Sequence, residues 1–232
     1  MNITLLFVWI VGFFAGLSIP SIASRFGKIL PADPGSVLAT LWHRPRFPKR
    51  RGGYRYELLC YKWQKLFVFS ICWGLVMGAL FSCSYVFIGS ASIFWIGALL
   101  WAIGLSMAID DQYYLLPDFV TVPLLFCGFG FSLFGGLITP LNSFGGAVFG
   151  YLLCTVAVFV TRLFRKTEFG AGDVKMVTAL GAWMGYIGLN CTLVLSFLFF
   201  AIWSMIKKRR TGAFGPALGM AAIIMLFYSY IK

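Results

Sequence analysis

Long apolar runs separated by short polar segments make up most of this chain. The first run, residues 3–23, is long enough to cross ~30 Å of hydrocarbon at ~1.5 Å per helical residue. Residues 66–109 contain no charged side chain. This uncharged stretch is too long for one membrane-spanning helix but is long enough for two, joined near residues 89–92. The pattern therefore predicts membrane-spanning helices.

The same pattern places further spans along the rest of the chain. We expect the fourth span at residues 119–139 and the fifth at about residues 144–161, with a turn at residues 140–143 between them. The stretch from Asp173 to Lys207 has basic residues at both ends and should cross an even number of times. Two short helices hinged near residues 188–190 would satisfy that requirement.

The sixth span is the weakest of the series. It is short and contains Gly181 and Gly185, so a re-entrant element is the alternative at this point. The last span is expected at about residues 213–231. Together the runs predict an all-α, polytopic membrane protein with about eight transmembrane helices and both ends on the outer side.

The basic residues set the expected orientation. Residues 24–65 carry ten Lys and Arg side chains against two acidic ones, so the positive-inside rule places this segment in the cytoplasm. In the eight-span arrangement only Lys232, of 19 basic residues, falls outside. We divide the chain into residues 1–65, a first transmembrane helix with a basic cytoplasmic loop, and residues 66–232, a membrane-embedded core.

Composition supports a membrane protein and argues against several other classes. The chain is 60% hydrophobic and only 11% charged, with a mean hydropathy of +0.89. The net charge of +12 has no nucleic-acid recognition module beside it, so we expect no nucleic-acid partner. The six cysteines form no Cys-x-x-Cys pair and there is one histidine, so neither a disulfide framework nor a metal site is expected.

The acidic residues carry the candidate chemistry. Five of the seven fall in two short polar stretches, and these are Asp110, Asp111, Asp118, Glu168 and Asp173. A carboxylate at the boundary of an apolar helix costs on the order of a few kcal/mol to desolvate, so such positions favour a functional role.

Two motifs lie in these stretches. The first runs from Asp110 through Leu-Leu-Pro117-Asp118 to Thr121, and the second is Gly170-Ala-Gly172-Asp173-Val-Lys175. In this order, and both at predicted cytoplasmic helix ends, they resemble the signature of the type IV prepilin peptidases. The Gly-x-Gly-Asp (GxGD) element is also shared with presenilin-like and preflagellin peptidases.

The resemblance implies an aspartic dyad of Asp110 and Asp173. Asp110 is preferred to its neighbour Asp111 because it has the family's seven-residue distance to Pro117. Two such carboxylates would share one proton, activate water and polarise a peptide carbonyl, without a metal.

The remaining motif residues are expected to support the dyad. Gly170 and Gly172 would let an extended substrate strand lie beside Asp173. Lys175 either positions substrate or serves as one more inside-positive anchor. Pro117, Asp118 and Thr121 are expected to set the turn and cap the following helix. Negative charge for a basic substrate would come from Asp111, Asp118 and Glu168.

The function that the resemblance implies is removal of the short basic leader of type IV prepilin or type II secretion pseudopilin precursors. It would occur at the cytoplasmic face of the bacterial inner membrane, with membrane lipid holding both partners. Many family members also methylate the new amino terminus with S-adenosylmethionine and carry two Cys-x-x-Cys pairs in the first cytoplasmic loop. This loop has neither pair, which leaves methylation open.

Two other classes remain as alternatives. A small proton-coupled transporter could use the same carboxylates, although such carriers place them near the bilayer midplane. A pilus or secretion subunit without activity would leave the paired motifs unexplained. The sequence contains no feature that sets the oligomeric state.

Overall fold

The computed structural model describes residues 3–26, 54–90, 92–134, 136, 138–164, 170–207 and 212–231. Within these ranges every regular element is an α-helix, as the sequence predicted. The helices are α1 (Ile3–Phe26), α2 (Tyr54–Ile88), α3 (Ile93–Tyr113), α4 (Asp118–Leu133), α5 (Pro140–Phe164), α6 (Ala171–Lys207) and α7 (Gly215–Ile231).

Five of the helical stretches are long and apolar enough to cross a membrane, namely Ile3–Phe26, Gln64–Ile88, Ile93–Tyr113, Pro140–Thr161 and Ala171–Ile206. Helices α4 and α7 are shorter but also apolar. Helix α6 consists of two helices joined across a kink. The all-α polytopic fold is therefore confirmed, whereas the crossing of the bilayer by eight separate helices stays a prediction.

Helix α2 corrects the predicted extent of the first polar segment. The junction between the second and third helices falls at residues 89–92 as expected, but α2 begins at Tyr54, well before the apolar run at Leu66. Glu57, Lys62 and Lys65 are good helix formers, so intrinsic helix propensity is compatible with a helix that begins within the polar segment. Residues 24–26 of the predicted loop belong to α1, and residues 27–53, including His43, lie outside the described residues.

Helix α5 begins earlier than the sequence suggested. Residues 140–143 were expected to form a turn but are the first turn of α5. Pro140 suits the first helical position because it has no N–H to leave unpaired. The Asn142 N–H donates to Thr139 Oγ1 at 3.4 Å, and the Ser143 N–H donates to the Thr139 carbonyl at 3.0 Å. Helix α4 correspondingly ends at Leu133.

The break in α6 lies at Gly185 and not at residues 188–190, so the predicted hinge was wrong. Gly185 has φ 68° and ψ −178°, which glycine adopts without the penalty that a side chain would bring. Beside it, Gly146 of α5 packs directly on the α6 backbone. The Ser143 hydroxyl donates to the Ala182 carbonyl at 2.6 Å, which supplies a partner where the helical ladder is interrupted.

Packing divides the chain into two compact units, Met1–Tyr85 and Val86–Lys232. In the first, α1 and α2 approach closely through Gly12 and Gly16 of α1 and Gly74 and Gly78 of α2. Small residues spaced four apart on both helices permit this contact in a membrane. The predicted functional division at residues 65 and 66 stays a proposal.

The second unit is organised around α6, which packs against α4, α5 and α7, while α3 packs against α4 and α7. Trp183 of α6 is buried, and its indole N–H donates to the Leu124 carbonyl of α4 at 2.8 Å. Its ring stacks on Phe131 at a centroid distance of 5.2 Å. This packing holds the end of α3 and the starts of α4, α6 and α7 in one unit.

Candidate active site

Asp110 lies in the last turn of α3 and is buried, with 5% of its surface exposed. The helix is closed by Tyr114, which adopts φ 54° and donates its N–H to the Asp110 carbonyl at 2.9 Å. The left-handed residue turns the chain away immediately after the helix. The Asp110 carboxylate therefore faces the protein interior, one turn from the end of α3.

The Asp110 carboxylate binds the beginning of α7. Its Oδ2 accepts the Gly215 N–H at 2.7 Å, which is one of the N–H groups that a helix N-terminus leaves without an intrahelical partner. A Cβ atom at position 215 would lie 2.6 Å from Oδ2, so this approach requires glycine.

Gly215 is a site residue that the sequence reasoning missed. The available signal was the Gly215-Pro216 pair at the start of the last apolar run, since proline just inside a helix start marks its N-terminus. Nothing in the sequence indicated that this N-terminus meets Asp110.

Asp173 is the third residue of α6 and is half-buried. Its N–H donates to the Gly170 carbonyl at 3.1 Å, which fixes the start of the helix. The carboxylate is near enough to that of Asp110 for the two charges to interact. The structure thus brings together the two aspartates that the sequence singled out, one from the end of α3 and one from the start of α6.

A third titratable group lies beside this pair. Cys154 of α5 is buried, and its thiol is close enough to Asp173 to interact with its charge. A buried cysteine is otherwise a small apolar side chain, and nothing in the sequence indicates that this one lies beside Asp173. Its position completes a site formed by α3, α5, α6 and α7.

The two sequence motifs are in direct contact. A Cβ atom at Gly172 would lie 2.8 Å from Leu116 Cβ and 3.1 Å from the Leu116 carbonyl oxygen. At Gly170 a Cβ atom would lie 3.0 Å from Asp173 Oδ2. The glycines therefore let the start of α6 approach both the turn before α4 and the carboxylate itself. Their expected role beside a substrate strand stays a prediction.

Lys175, near the start of α6, and Asp118, the first residue of α4, form an ion pair. Lys175 Nζ lies 2.7 Å from both Asp118 oxygens, with 45% and 63% of the two side chains exposed. The expected capping role of Asp118 is wrong, because the N-cap of α4 is Pro117 and no side chain caps it. Thr121 Oγ1 instead donates back to the Pro117 carbonyl at 3.4 Å.

Two predicted site residues remain, Asp111 and Glu168. Asp111 is exposed and close enough to Asp110 for their charges to interact. Glu168 lies outside the described residues. In the part of the chain that the structure describes, no three His, Cys, Asp or Glu side chains are grouped so that they could hold a metal ion.

Comparison with known proteins gives a consistent family. Residues 97–205 match the type IV leader peptidase family. Similar curated proteins include the prepilin leader peptidase/N-methyltransferase of Neisseria gonorrhoeae, 41% identical over 123 residues, which are 50% of this chain and 41% of that protein. The protein of the same name from Escherichia coli (strain K12) is 39% identical, over 52% of this chain and 56% of its own length. That from Aeromonas hydrophila is 35% identical, over 56% of this chain and 48% of its own length.

The chain spans about half the length of the curated relatives it matches. No solved structure gives a significant match.

Proposed function

We propose that this chain, whose residues 97–205 match the type IV leader peptidase family, is an aspartic endopeptidase of that family. Its substrates are type IV prepilin or pseudopilin precursors, from which it removes the short basic leader. It acts at the cytoplasmic face of the bacterial inner membrane. The observation that carries the proposal is the proximity of the buried Asp110 and the half-buried Asp173, whose charges interact.

The arrangement suits acid–base hydrolysis of a peptide bond. Two interacting carboxylates cannot both ionise easily, so the pair holds one proton and titrates as a unit. The ionised member takes a proton from water as the water oxygen adds to the peptide carbonyl carbon. The protonated member donates to the carbonyl oxygen. The resulting tetrahedral diol then breaks its C–N bond, and the departing amine receives a proton from the pair.

The protein supplies the fixed geometry for this step. The Gly215 N–H holds one Asp110 oxygen in place, and the α3, α6 and α7 helix ends converge on the pair. Both carboxylates lie within a turn of a helix end, close to where a helix of this length would leave the membrane. This position supports the peptidase over the transporter, whose proton-carrying side chains would lie near the bilayer midplane.

Recognition of the basic leader falls mainly to Asp111. Both oxygens of Asp118 bind Lys175, so that carboxylate is already neutralised by a partner. Asp111 is exposed beside the dyad and has the charge that a lysine or arginine side chain of a leader would approach. Anionic lipid would hold enzyme and precursor at the same surface.

Methyl transfer would require S-adenosylmethionine as the methyl donor. The proposal is confined to peptide cleavage, and the mass of the new amino terminus reports any methyl transfer.

The proposal is tested by co-expressing the protein with a prepilin that carries a C-terminal tag. Wild type should shorten the precursor, and the mass of the new amino terminus gives the cleavage position and any methyl group. Asp110→Asn and Asp173→Asn should each leave the precursor uncut while inserting into the membrane at normal levels. Asp111→Asn tests the choice between the two neighbouring aspartates: it removes charge that the leader would approach but no group of the dyad, so substantial cleavage should remain.

Two outcomes would overturn the proposal. One is normal cleavage by either dyad variant, which would remove the mechanism. The other is an uncut precursor with wild type across several prepilins, which would remove the activity. Loss of cleavage in Asp111→Asn as complete as in the dyad variants would show that the wrong neighbour had been assigned.

A further inference from the structure

Ser106 is buried in α3, one helical turn before Asp110, with 1% of its surface exposed. Within the part of the chain that the structure describes, its hydroxyl has no hydrogen-bond partner. A buried polar group of this kind costs free energy, because it has left water and gained no bond in return. Such groups are rare in native proteins and are expected mainly at functional sites. The mechanism above does not use Ser106.

Other buried serines of this protein bond to their own helices. A helical serine can donate back to a carbonyl of the preceding turn. Ser84 of α2 donates to the Leu80 carbonyl at 2.8 Å, and Ser196 of α6 donates to the Leu193 carbonyl at 2.8 Å. Both serines are fully buried. Ser106 differs, because neither its own helix nor any other described residue accepts a bond from its hydroxyl.

Helix geometry places this hydroxyl beside the Asp110 side chain. Residues four apart share one face of a helix, with Cβ atoms about 5–6 Å apart, a gap that a hydroxyl and a carboxylate can close together. A helical side chain also leans back over the turn that precedes it, so Asp110 covers Ser106. Gly219 of α7 packs on Ile103 and Met107, which holds this part of α3 in place.

The Asp110 carboxylate has room for a second donor. Its Oδ2 accepts the Gly215 N–H at 2.7 Å, and no other described residue donates to it. One hydrogen bond leaves the carboxylate able to turn about that bond. A carboxylate can accept at about four positions, so a second bond would fix its plane and still leave it able to bind water or hold a proton.

Resting on the proposed peptidase function, we propose that Ser106 is a positioning residue for Asp110. Its hydroxyl donates to the Asp110 carboxylate when a peptide occupies the site, and so fixes the orientation of the carboxylate for cleavage. Hydrogen bonds at catalytic sites are often long or poorly aligned without substrate and tighten when substrate binds. The free protein therefore keeps an unpaired donor, at a cost in stability, and uses it during the reaction.

The test compares stability without substrate and cleavage rate in Ser106→Ala. Because the hydroxyl is unpaired in the free protein, its removal should raise the melting temperature in nanodiscs by roughly 2–4 °C. The same change should lower the single-turnover rate on a tagged precursor by about 10-fold, the effect of losing one hydrogen bond to a charged group. The precursor concentration that gives half the maximal rate should stay within about twofold, because Ser106 acts through Asp110.

Two further variants separate the hydroxyl from packing. Ser106→Cys keeps nearly the same side-chain shape but has only a weak donor, so it should be about as slow as Ser106→Ala. Ser196→Ala is the matched control, since it removes an equally buried hydroxyl that is bonded within its own helix. It should leave the cleavage rate unchanged and should not raise the melting temperature.

Several results would overturn the proposal. Normal cleavage by Ser106→Ala is one, and a lowered melting temperature is another, because it would mean that the hydroxyl has a partner in the free protein. If only Ser106→Ala is slow and Ser106→Cys cleaves normally, the effect is one of packing and the proposal is wrong. It is also wrong if the half-saturating concentration rises while the maximal rate is unchanged. Absence of cleavage by wild type would instead remove the proposed function, whereas the melting temperatures would still report whether the hydroxyl is paired.

Discussion

Substitution of Gly215 by alanine should disable the site without touching either aspartate. The new methyl group would lie 2.6 Å from Asp110 Oδ2 and 2.9 Å from Asp110 Cβ, both well inside van der Waals contact. Either the carboxylate rotates away or the start of α7 moves outward. In both cases the 2.7 Å hydrogen bond from the Gly215 N–H is lost.

The size of the effect follows from that bond. A hydrogen bond to a charged group contributes about 1.5–3 kcal/mol, and each ~1.4 kcal/mol in the barrier changes the rate tenfold. Gly215→Ala should therefore cut the single-turnover cleavage rate by about 10- to 100-fold.

The assay is single-turnover cleavage of a tagged precursor by purified protein in nanodiscs. Gly145→Ala is the matched control, because a Cβ atom at Gly145 meets no atom within 4 Å. The reasoning is refuted if Gly215→Ala cleaves within about twofold of wild type. It is also refuted if the control loses as much rate.

Two smaller perturbations test the supports of the site. Removing the Lys175–Asp118 pair by Lys175→Ala should lower the free energy of unfolding by at most ~1 kcal/mol, because both side chains are substantially exposed. The cleavage rate should fall several-fold and should recover in the charge-reversed double variant, Asp118→Lys with Lys175→Asp. No recovery would mean that the pair does not position the helices. Gly172→Ala places a methyl group against Leu116 and should lower the free energy of unfolding in detergent by about 1–3 kcal/mol. Ala171→Gly is the control and should change that free energy little. Equal stability of the two variants would contradict the contact between Gly172 and Leu116.

Much of the fold could be predicted from local sequence. An apolar run that lies in a bilayer predicts a helix, because each backbone N–H and C=O must be hydrogen-bonded within the segment. The end of α3 just after Asp110 and the start of α4 at Asp118 follow from the charged residues that interrupt those runs. Both motifs lie at helix ends on the same predicted side, but only the family resemblance implied that their aspartates form a pair.

The contacts that complete the site were not accessible from the sequence. The Gly215 N–H is a backbone group that any residue except proline carries, so no side-chain pattern indicates that it binds Asp110. The partner of Asp118 depends on how the starts of α4 and α6 are placed against each other. The break at Gly185 depends on the close approach of Gly146 from α5, because several glycines in that stretch could have adopted the same conformation.

The most direct test of the central claim is whether Asp110 and Asp173 act as one unit. Single-turnover cleavage should be measured for Asp110→Asn, Asp173→Asn and the double variant, with Asp111→Asn as control. Residues of one catalytic unit are strongly non-additive, so each single variant should fall to background and the double variant should be no slower than either. Substantial cleavage by a single variant, or separate losses that multiply in the double variant, would contradict the dyad.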